Sequence, residues 1–440
     1  MVFSIYGEFN KAKVFATQID NECIAQIIEL CNQKWLKNCQ IAIMPDCHNG
    51  KGCTIGTTIK LKDKVCPSLV GVDLGCGMLS INIPKELNVD LEILKKTDEF
   101  INENIPSGFN VNKESLVKPY EDELSKLYCY EHLKGIDYLR KSIGSLGSGN
   151  HFIEINEDSK GRHYLVIHSG SRNLGKQIAE YYQDIAFEHC NQQKAKHKKE
   201  REKIIQSLKE KGKQNEIQKT LEEFEKNYIS EIKISKELSY LEGKDAEHYL
   251  HDAKIAVRFA SLNRKYIAKR ILEYIVFANG YQSEQLNVWL DEYQQHQFEF
   301  GFDDEKIDVR SLGFETIHNY IDGDNVLRKG AISAHKGEKV LIPINMRDGS
   351  IIGIGKGNEE YNCSGPHGAG RLMSRSQAKE TVKFKEFKES MKDIYSTSVC
   401  DSTLDESPMA YKTIKDITKN IEDSIEVLEI IKPIYNFKAH

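Results

Sequence analysis

Residues 71–78 read Gly71-Val72-Asp73-Leu74-Gly75-Cys76-Gly77-Met78 and place a carboxylate and a thiol three positions apart within a run of glycines. Apolar residues flank this stretch on both sides. Glycine permits sharp turns and close approach of other groups, so Asp73 and Cys76 could bind one metal ion, or Cys76 could be a nucleophile. A tight turn with an ordinary buried cysteine is the simpler alternative. The stretch alone favours that alternative, and the rest of the chain has to decide.

Composition limits the class of protein. The chain has 440 residues, 40% of them hydrophobic and 29% charged, which is enough to bury a large core in one to three domains. The glycines cluster in short motifs rather than in linkers, which favours one domain. The formal net charge of −5 excludes a chain that is basic overall, so any nucleic-acid surface has to be a local basic patch.

The cysteines predict a reducing compartment. They number eleven, with no Cys-x-x-Cys pair, which argues against a disulfide framework and against a four-cysteine zinc module. The amino terminus has no basic, apolar leader, and no apolar run is long enough to span a bilayer. We therefore expect a cytoplasmic protein with no membrane partner.

Short apolar runs separated by glycine-bearing loops predict a sheet-rich core whose loops carry the chemistry. The predicted strands cover residues 41–44, 53–61, 79–83, 151–155, 163–167 and 339–344. Helices are predicted over residues 21–37, most of 88–141, 244–279 and a last segment that ends near residue 431. The predicted fold class is α+β, with a β-sheet core and surrounding helices in a single domain over residues 1–440.

Residues 190–240 differ from the rest in composition. Lys, Glu and Gln dominate, and large apolar side chains are few. This pattern predicts a charged helical arm, formed by two surface helices and inserted within the domain. A solvent-exposed helical insertion without a binding role is the preferred interpretation, and binding of a substrate or partner is the alternative.

Several loops share one kind of side chain. A histidine lies beside a Gly, Ser or Asn loop residue after an apolar run at His151, His168, His318 and His367. Together with Asp73 and Cys76 these histidines predict a shared metal site. Imidazole, carboxylate and one thiolate suit Zn, Mn or Fe. The set exceeds the needs of one tetrahedral ion, which indicates two ions with a shared thiolate or water, a common device in phosphoryl transfer.

The segment from Cys363 to Arg375 predicts phosphate binding. Its Gly368-Ala369-Gly370 sequence is interpreted as the opening of a helix, whose backbone N–H groups suit phosphate. Arg371 and Arg375 would then share one face of that helix. From the residues alone, the best interpretation is a metal-dependent phosphoryl-transfer enzyme.

Taken together and in order, the motifs resemble the RtcB family of RNA-splicing ligases. The resemblance runs from Pro45-Asp46-Cys47-His48 to Ala410-Tyr411-Lys412, which is most of the chain. Each motif is weak alone, but the ordered set is specific. The motifs are residues 71–78, Gly149-Asn150-His151-Phe152, His168-Ser169-Gly170-Ser171-Arg172, and His367 to Arg371 with Ser374-Arg375.

The resemblance implies a GTP- and Mn2+-dependent ligase that joins an RNA 3′-phosphate or 2′,3′-cyclic phosphate to a 5′-hydroxyl. By this resemblance, Asp73, Cys76 and His151 would bind one manganese ion. Cys76, His168 and His318 would bind a second, with the thiolate bridging the two. RNA is the implied partner, as broken or spliced tRNA or rRNA ends, and an archease-type activator is a further candidate.

The resemblance also assigns the nucleotide chemistry. His367 would attack the α-phosphate of GTP and carry GMP, oriented by Asp46. Glu154 would accept hydrogen bonds from guanine N1–H and the N2 amine, and Arg172, Arg371 and Arg375 are candidates for RNA phosphates. The implied guanylate contacts are Asn150, His151, Phe152, Ile153, Glu154, His318, Asn319, Pro343, Ile344, Asn345, Met346, Ser350, His367, Gly368, Ala369, Gly370 and Lys412.

The chain departs from the family pattern in one loop. The common Pro-Gly-Ser-Met sequence reads Pro343-Ile344-Asn345-Met346 here and is followed by Arg347. The nucleotide contact at Asn345 is therefore uncertain from sequence, and Arg347 adds a charge nearby. Together with the charged arm, this departure motivates the hypothesis of a divergent branch that repairs nicked tRNA or rRNA.

Two other functions remain open at this point. The first is a dinuclear phosphoesterase that hydrolyses cyclic phosphate ends without joining them, which would need the metals but not His367 or Lys412. The second is a non-catalytic RNA-binding or scaffold protein, which would tolerate loss of Cys76.

Overall fold

The glycine-rich stretch of residues 71–78 connects the two larger β-sheets of the fold. The computed structural model describes residues 2–17, 19–117, 122–227, 234–282 and 313–439. Gly71 and Gly75 take φ angles of 110° and 73°, where an L side chain is disfavoured and glycine is not. The chain can therefore reverse sharply here between one sheet and the next.

The strands are short and fall mostly where apolar runs predict them. They are β1 (Phe3–Tyr6), β2 (Lys11–Val14), β3 (Gln40–His48), β4 (Ile55–Lys60), β5 (Lys64–Val65), β6 (Gly77–Asn82), β7 (Phe152–Glu157), β8 (His163–Ser169), β9 (Leu241–Glu242), β10 (Gly313–Ile317), β11 (Asn319–Ile321), β12 (Val326–Lys329), β13 (Ala331–Ser333), β14 (Lys339–Asn345), β15 (Gly349–Gly355), β16 (Ser364–Pro366) and β17 (Ile425–Lys438).

One sheet has six strands in the order β1-β2-β3-β4-β12-β11, with β2 and β3 parallel and the other neighbours antiparallel. The second has seven strands in the order β10-β6-β8-β7-β17-β15-β14, all antiparallel. Two small ladders, β13 with β16 and β5 with β9, complete the pairing among the described residues. Several neighbouring strands are distant in sequence, such as β10 beside β6 and β17 between β7 and β15, so the second sheet unites distant parts of the chain.

Helices surround these sheets. They are α1 (Asn21–Cys31), α2 (Leu91–Asn104), α3 (Ile136–Ser142), α4 (Asn173–Glu210), α5 (Ile217–Asn227), α6 (Gly243–Ala278), α7 (Arg375–Thr381), α8 (Phe384–Ser390) and α9 (Ile414–Ile421). Helix α6 buries Ile267, Ile271 and Ile275 in one core cluster with the second sheet, and their four-residue spacing gives one apolar face. The predicted α+β class is confirmed.

The carboxyl-terminal prediction is wrong. Helix α9 ends at Ile421, and residues 425–438 form β17 between β7 and β15 instead of a helix. Isoleucine and valine recur through this segment, and their branched side chains favour strands. Pro433 is accommodated at a shift of register between β17 and β7. The predicted helix over residues 88–141 is also only partly present, as α2 and α3.

Within residues 190–240, α4 and α5 occupy most of the described positions, with a turn at Lys211 and Gly212 between them. Residues 228–233 of the predicted arm lie outside the described residues. In the described ranges, no helix combines the length and the apolar character that crossing a bilayer requires.

A buried arginine ties helix α6 to the glycine-rich stretch. Arg264 has no solvent exposure. Its Nη1 donates hydrogen bonds of 2.8 Å to the carbonyl oxygens of Gly75 and Ser169, and its Nε lies 3.1 Å from Oε1 of Glu315. One side chain therefore fixes the loop before β6 and the end of β8 to each other.

We expect Arg264→Ala to lower the free energy of unfolding by about 3–5 kcal/mol, because it leaves the Glu315 carboxylate and two carbonyls without their buried partner. Equilibrium urea unfolding measures this loss. Lys269→Ala on the same helix is the matched control, because its ion pair with Glu273 is exposed, and we expect it to cost at most about 0.5 kcal/mol. Equal effects of the two substitutions would contradict the bracing role.

Candidate metal centre and active site

Four neighbouring strands bring the predicted ligands to one edge of the second sheet. Ile317 of β10 pairs with Gly77 of β6, and Gly77 pairs with Ser169 of β8. His168 of β8 in turn pairs with Phe152 of β7. Because His318, Cys76 and His151 flank these strand ends, the register alone places their side chains together with that of His168.

Cys76 is the common member of two groups of potential ligands. Its Sγ lies 3.4 Å from Nε2 of His168 and 3.5 Å from Nε2 of His151. Within each group, Cys76-His168-His318 and Asp73-Cys76-His151, the ligand atoms lie within 4.8 Å of one another. The structure thus places the predicted ligands in two triads around one shared sulfur.

The backbone fixes which nitrogen two of the imidazoles present. Nδ1 of His151 lies 2.8 Å from the carbonyl oxygen of Leu146, and Nδ1 of His168 lies 3.1 Å from that of Asn150. A carbonyl can only accept, so each Nδ1 carries the proton and each Nε2 keeps its lone pair facing Cys76. A metal-binding histidine usually has this arrangement, in which the ring nitrogen that does not bind the metal donates a hydrogen bond to the protein.

Asp73 is held in place by the segment after β8. Its Oδ1 accepts hydrogen bonds from the backbone N–H of Ser171 at 3.0 Å and from its hydroxyl at 3.1 Å, and its Oδ2 lies 3.3 Å from Nε2 of His151. A Cβ on Gly170 would overlap the Asp73 carboxylate, so glycine is required at that position. The His168-Ser169-Gly170-Ser171 motif therefore shapes both triads.

Burial sets the protonation of the donors. It lowers the pKa of His168 and of His318 well below the usual histidine value, with the other imidazoles adding repulsion, so both are neutral at pH 7. Burial and then the Asp73 charge raise the pKa of the Cys76 thiol well above its usual range. Burial alone would raise the pKa of Asp73, but contacts with His151 hold it below its usual value. A thiolate at Cys76 thus requires a cation beside it.

The donor set fits a divalent transition metal. Nδ1 of His318 is buried without a hydrogen-bond partner among the described residues, as expected of an atom that serves a ligand. Neutral imidazoles, a carboxylate and a thiol are the donors that Zn, Mn or Fe accept. The residues present therefore fit the implied metal, with Cys76 available to both triads.

His367 continues a row of imidazoles beyond the three ligand histidines, and His48 follows it with a ring-centroid distance of 6.2 Å. Ring centroids are separated by 5.3 Å from His151 to His168, 5.2 Å from His168 to His318 and 5.0 Å from His318 to His367. Nδ1 of His367 lies 2.7 Å from Oδ2 of Asp46. That oxygen also accepts the backbone N–H groups of His367 and Gly368 at 3.1 and 3.3 Å, so a fully buried carboxylate holds the loop and lies close to the ring.

Eight of the predicted guanylate residues illustrate two different situations in the structure. Glu154, Asn319, Gly368 and Lys412 lie in or beside the segments that carry the imidazoles. Nζ of Lys412 donates to the carbonyl oxygen of Pro45 at 3.2 Å, next to Asp46. In contrast, the side chains of Ile153, Ile344, Met346 and Ala369 are buried in apolar clusters, so only their backbone atoms remain for a nucleotide.

Asn319 and Asn345 both have local roles. Asn319 accepts a hydrogen bond from the Gly330 N–H at 2.9 Å and donates one to the Asp73 carbonyl at 3.2 Å. These bonds stabilise the loop that carries Asp73 and Cys76. The side-chain oxygen of Asn345 accepts the N–H groups of Arg347 and Asp348 at 3.0 and 2.9 Å. Asp348 also pairs with the Arg347 guanidinium at 2.8 Å, so the extra charge of this loop is neutralised within the loop.

The predicted helix at Gly368-Ala369-Gly370 is wrong. Helix α7 begins at Arg375, because the Ser374 side chain accepts the Gln377 N–H and caps it there. Arg371 precedes the helix and does not share a face with Arg375. Both arginines pair with Glu406, at 3.4 and 2.9 Å, so each already has a carboxylate partner.

Two residues near Glu154 were not predicted from the sequence. Strand β17 supplies Asn436, whose Nδ2 donates to Oε1 of Glu154 at 2.7 Å, and Lys438, whose Nζ lies 5.5 Å from the Phe152 ring centroid. Burial raises the pKa of Glu154 to about 7. The alternation of the last segment was the available signal, and assigning that segment to a helix concealed it.

A family model described as tRNA-splicing ligase RtcB matches residues 26–439 of the chain. The chain therefore belongs to the RtcB family, and the predicted family membership is confirmed.

Individual members of the family align with most of this chain. The RNA-splicing ligase RtcB of Escherichia coli (strain K12) is 30% identical over 426 aligned residues, covering 91% of this chain and 90% of that protein. The tRNA-splicing ligases RtcB of Nanoarchaeum equitans and Archaeoglobus fulgidus are 26% and 25% identical, covering 86% and 85% of this chain and 83% and 82% of those proteins.

We expect Cys76→Ala to lower bound metal by at least half, because one sulfur contributes to both triads. Metal analysis of the protein after saturation with Mn2+ measures the stoichiometry. Co2+ substitution adds a second measurement, since the thiolate-to-cobalt charge-transfer absorption should disappear. Cys400→Ala is the control, because Cys400 lies in neither triad. Unchanged stoichiometry and absorption in Cys76→Ala would contradict the shared-ligand arrangement.

Proposed function

We propose that this protein is a GTP- and Mn2+-dependent RNA ligase that joins an RNA 3′-phosphate or 2′,3′-cyclic phosphate to a 5′-hydroxyl end. The observation that carries the proposal is the 2.7 Å approach of Asp46 Oδ2 to Nδ1 of His367, beside two triads that share Cys76. Family membership and the names of the relatives as RNA-splicing ligases support it.

His367 is the proposed nucleophile. Because Nδ1 lies 2.7 Å from Oδ2 of Asp46, we assign the ring proton to Nδ1, which leaves the lone pair of Nε2 to attack the α-phosphorus of GTP. An N–P bond forms, the bond to pyrophosphate breaks, and His367 carries GMP. Asp46 stabilises the positive charge that develops on the ring, while its hydrogen bonds to the loop keep the ring in place. Manganese, bound by Asp73, Cys76, His151, His168 and His318, would supply neutralisation of phosphate charge.

The GMP group then passes from His367 to the RNA 3′-phosphate, which breaks the N–P bond and forms a pyrophosphate linkage. The 5′-hydroxyl oxygen of the second strand attacks the RNA phosphorus. A new phosphodiester forms, GMP leaves, and the hydroxyl proton is released. A cyclic phosphate end would first have to be opened by water.

Glu154 is proposed to select guanine. Each of its oxygens accepts one hydrogen bond from an asparagine, Asn436 or Asn156, and keeps a second lone pair for guanine N1–H or the N2 amine. Adenine lacks both donors. Lys438, whose charge favours the ionised form of Glu154, is added to the proposed nucleotide residues.

The proposed substrates are tRNA or rRNA ends left by splicing or by breakage, and an archease-type protein is a proposed activator. The departure from the family pattern at Asn345 and the charged arm motivate the hypothesis of a repair role. A phosphoesterase that opens cyclic phosphates without joining ends is the competing function, and it would not require a nucleophile at His367.

We expect incubation with α-labelled GTP and Mn2+ to label the protein with an acid-labile, alkali-stable bond typical of a phosphoramidate. His367→Ala should reduce the label at least 100-fold, because it removes the only proposed nucleophile. His335→Ala is the control, since His335 belongs to neither triad. Cyclic-phosphate hydrolysis by unlabelled, metal-loaded protein would favour the phosphoesterase instead.

We expect discrimination of GTP from ATP to weaken as the pH falls from 8 to 6. Burial raises the pKa of Glu154 to about 7, so the carboxylate is mostly ionised at pH 8 and mostly protonated at pH 6, a roughly tenfold change in the acceptor form. Nucleotide affinity by calorimetry measures the ratio at each pH. Glu154→Gln should lose the selectivity and its pH dependence together. A selectivity in the wild type that is constant with pH would refute this role.

A further inference from the structure

Phe109 is the most exposed large apolar side chain among the described residues, with 91% of its surface accessible to solvent. It lies at the tip of the loop between α2 and α3. Isolated exposed apolar residues are common, so exposure alone implies nothing. Two features distinguish Phe109 from other exposed apolar residues. Its backbone is held by hydrogen bonds, and its loop is connected to a candidate metal ligand.

The loop backbone around Phe109 is fixed by hydrogen bonds. The N–H of Gly108 donates to the carbonyl oxygen of Gly147 at 2.8 Å, and the Tyr138 hydroxyl donates to the carbonyl oxygen of Phe109 at 3.0 Å. The N–H of Asn110 donates to the carbonyl oxygen of Ser107 at 3.1 Å. An aromatic ring is thus presented to solvent on an ordered backbone, which lowers the entropy cost of binding a flat ligand.

A single guanidinium links this loop to a metal ligand. Arg172 donates to the Gly108 carbonyl at 2.9 Å and to the Leu146 carbonyl at 3.4 Å. The Leu146 carbonyl is also the acceptor for Nδ1 of His151. The residue before Phe109 is therefore joined through Arg172 to the carbonyl that orients His151, whereas His367 follows His318 on the other side of the three ligand imidazoles.

The space beside this loop is open. A Cβ built on Gly108 or on Gly149 would meet no atom within 4 Å, and residues 148–150 are exposed. Both loops are therefore accessible to solvent, and the hydrogen bond from the Gly108 N–H to the Gly147 carbonyl joins them.

We propose that Phe109 stacks on the first base of the RNA strand that carries the 5′-hydroxyl. This proposal rests on the proposed ligase function. Phosphoryl transfer places the attacking and leaving oxygens roughly in line on opposite sides of the phosphorus. GMP arrives from His367 and leaves on that side of the ligand histidines, so the 5′-hydroxyl strand approaches from the His151 side, to which Arg172 joins the loop of Phe109. Stacking on an aromatic ring tolerates any base, which suits a ligase that joins different ends.

The test compares Phe109→Ala, Phe109→Leu and Phe109→Trp in the full-length, Mn2+-loaded protein. Binding of a short 5′-hydroxyl oligoribonucleotide, labelled at its 3′ end, is followed by fluorescence anisotropy. We expect Phe109→Ala and Phe109→Leu to weaken binding about tenfold and to raise the KM for the 5′-hydroxyl strand, while Phe109→Trp retains both. The emission of the indole that Phe109→Trp introduces should be quenched when the oligonucleotide binds. Phe277→Ala is the matched control, because Phe277 is 72% exposed at the carboxyl end of α6.

Each outcome separates this proposal from the ligase function. Labelling of His367 by GTP does not involve the 5′-hydroxyl strand, so it should be normal in all three variants. Normal labelling with unchanged 5′-strand affinity and KM in Phe109→Ala would overturn the stacking role and leave the ligase function intact. Quenching of the introduced indole by a 3′-phosphate strand but not by a 5′-hydroxyl strand would also overturn it. If the wild type takes no label, the ligase function fails, and the anisotropy and quenching still decide whether Phe109 binds a 5′-terminal base.

Discussion

The antiparallel register of β10, β6, β8 and β7 is the constraint on which the rest of the site depends. A shift of one residue in any of these strands would turn every side chain to the other face and separate Cys76 from the histidines. The backbone hydrogen bond from His318 N–H to the Cys76 carbonyl, at 3.0 Å, and the buried Arg264 oppose such a shift. The ligand geometry is thus a property of sheet pairing more than of the loops that carry the ligands.

Local sequence was sufficient to find the candidate ligands that the fold brings together, but it did not indicate which residues hold them in place. Asp73, Cys76 and the loop histidines stand out because each follows or precedes an apolar run beside small residues. Arg264 and Lys438 do not stand out, since one lies within an ordinary amphipathic helix and the other at the end of a strand mistaken for a helix. Their roles follow from pairing between segments that are distant in the chain.

The wrong helix prediction near His367 has the same origin. Gly368-Ala369-Gly370 resembles a helix start, but the Gly368 N–H is already directed at Asp46, some 320 residues away in sequence. Ser374 then caps the helix several residues later than predicted. Local propensity is weak where a buried carboxylate from another strand competes for the same N–H groups, and no pattern within the loop reveals that competitor.

The sharing of one sulfur by two triads makes the centre vulnerable at a single atom. Oxidation of a thiol to a sulfinic or sulfonic acid is irreversible for most proteins, and at Cys76 it would affect both triads in one event. Deep burial of Cys76 limits the access of oxidants to this atom. The burial that raises the pKa of its thiol therefore also protects both triads from oxidation.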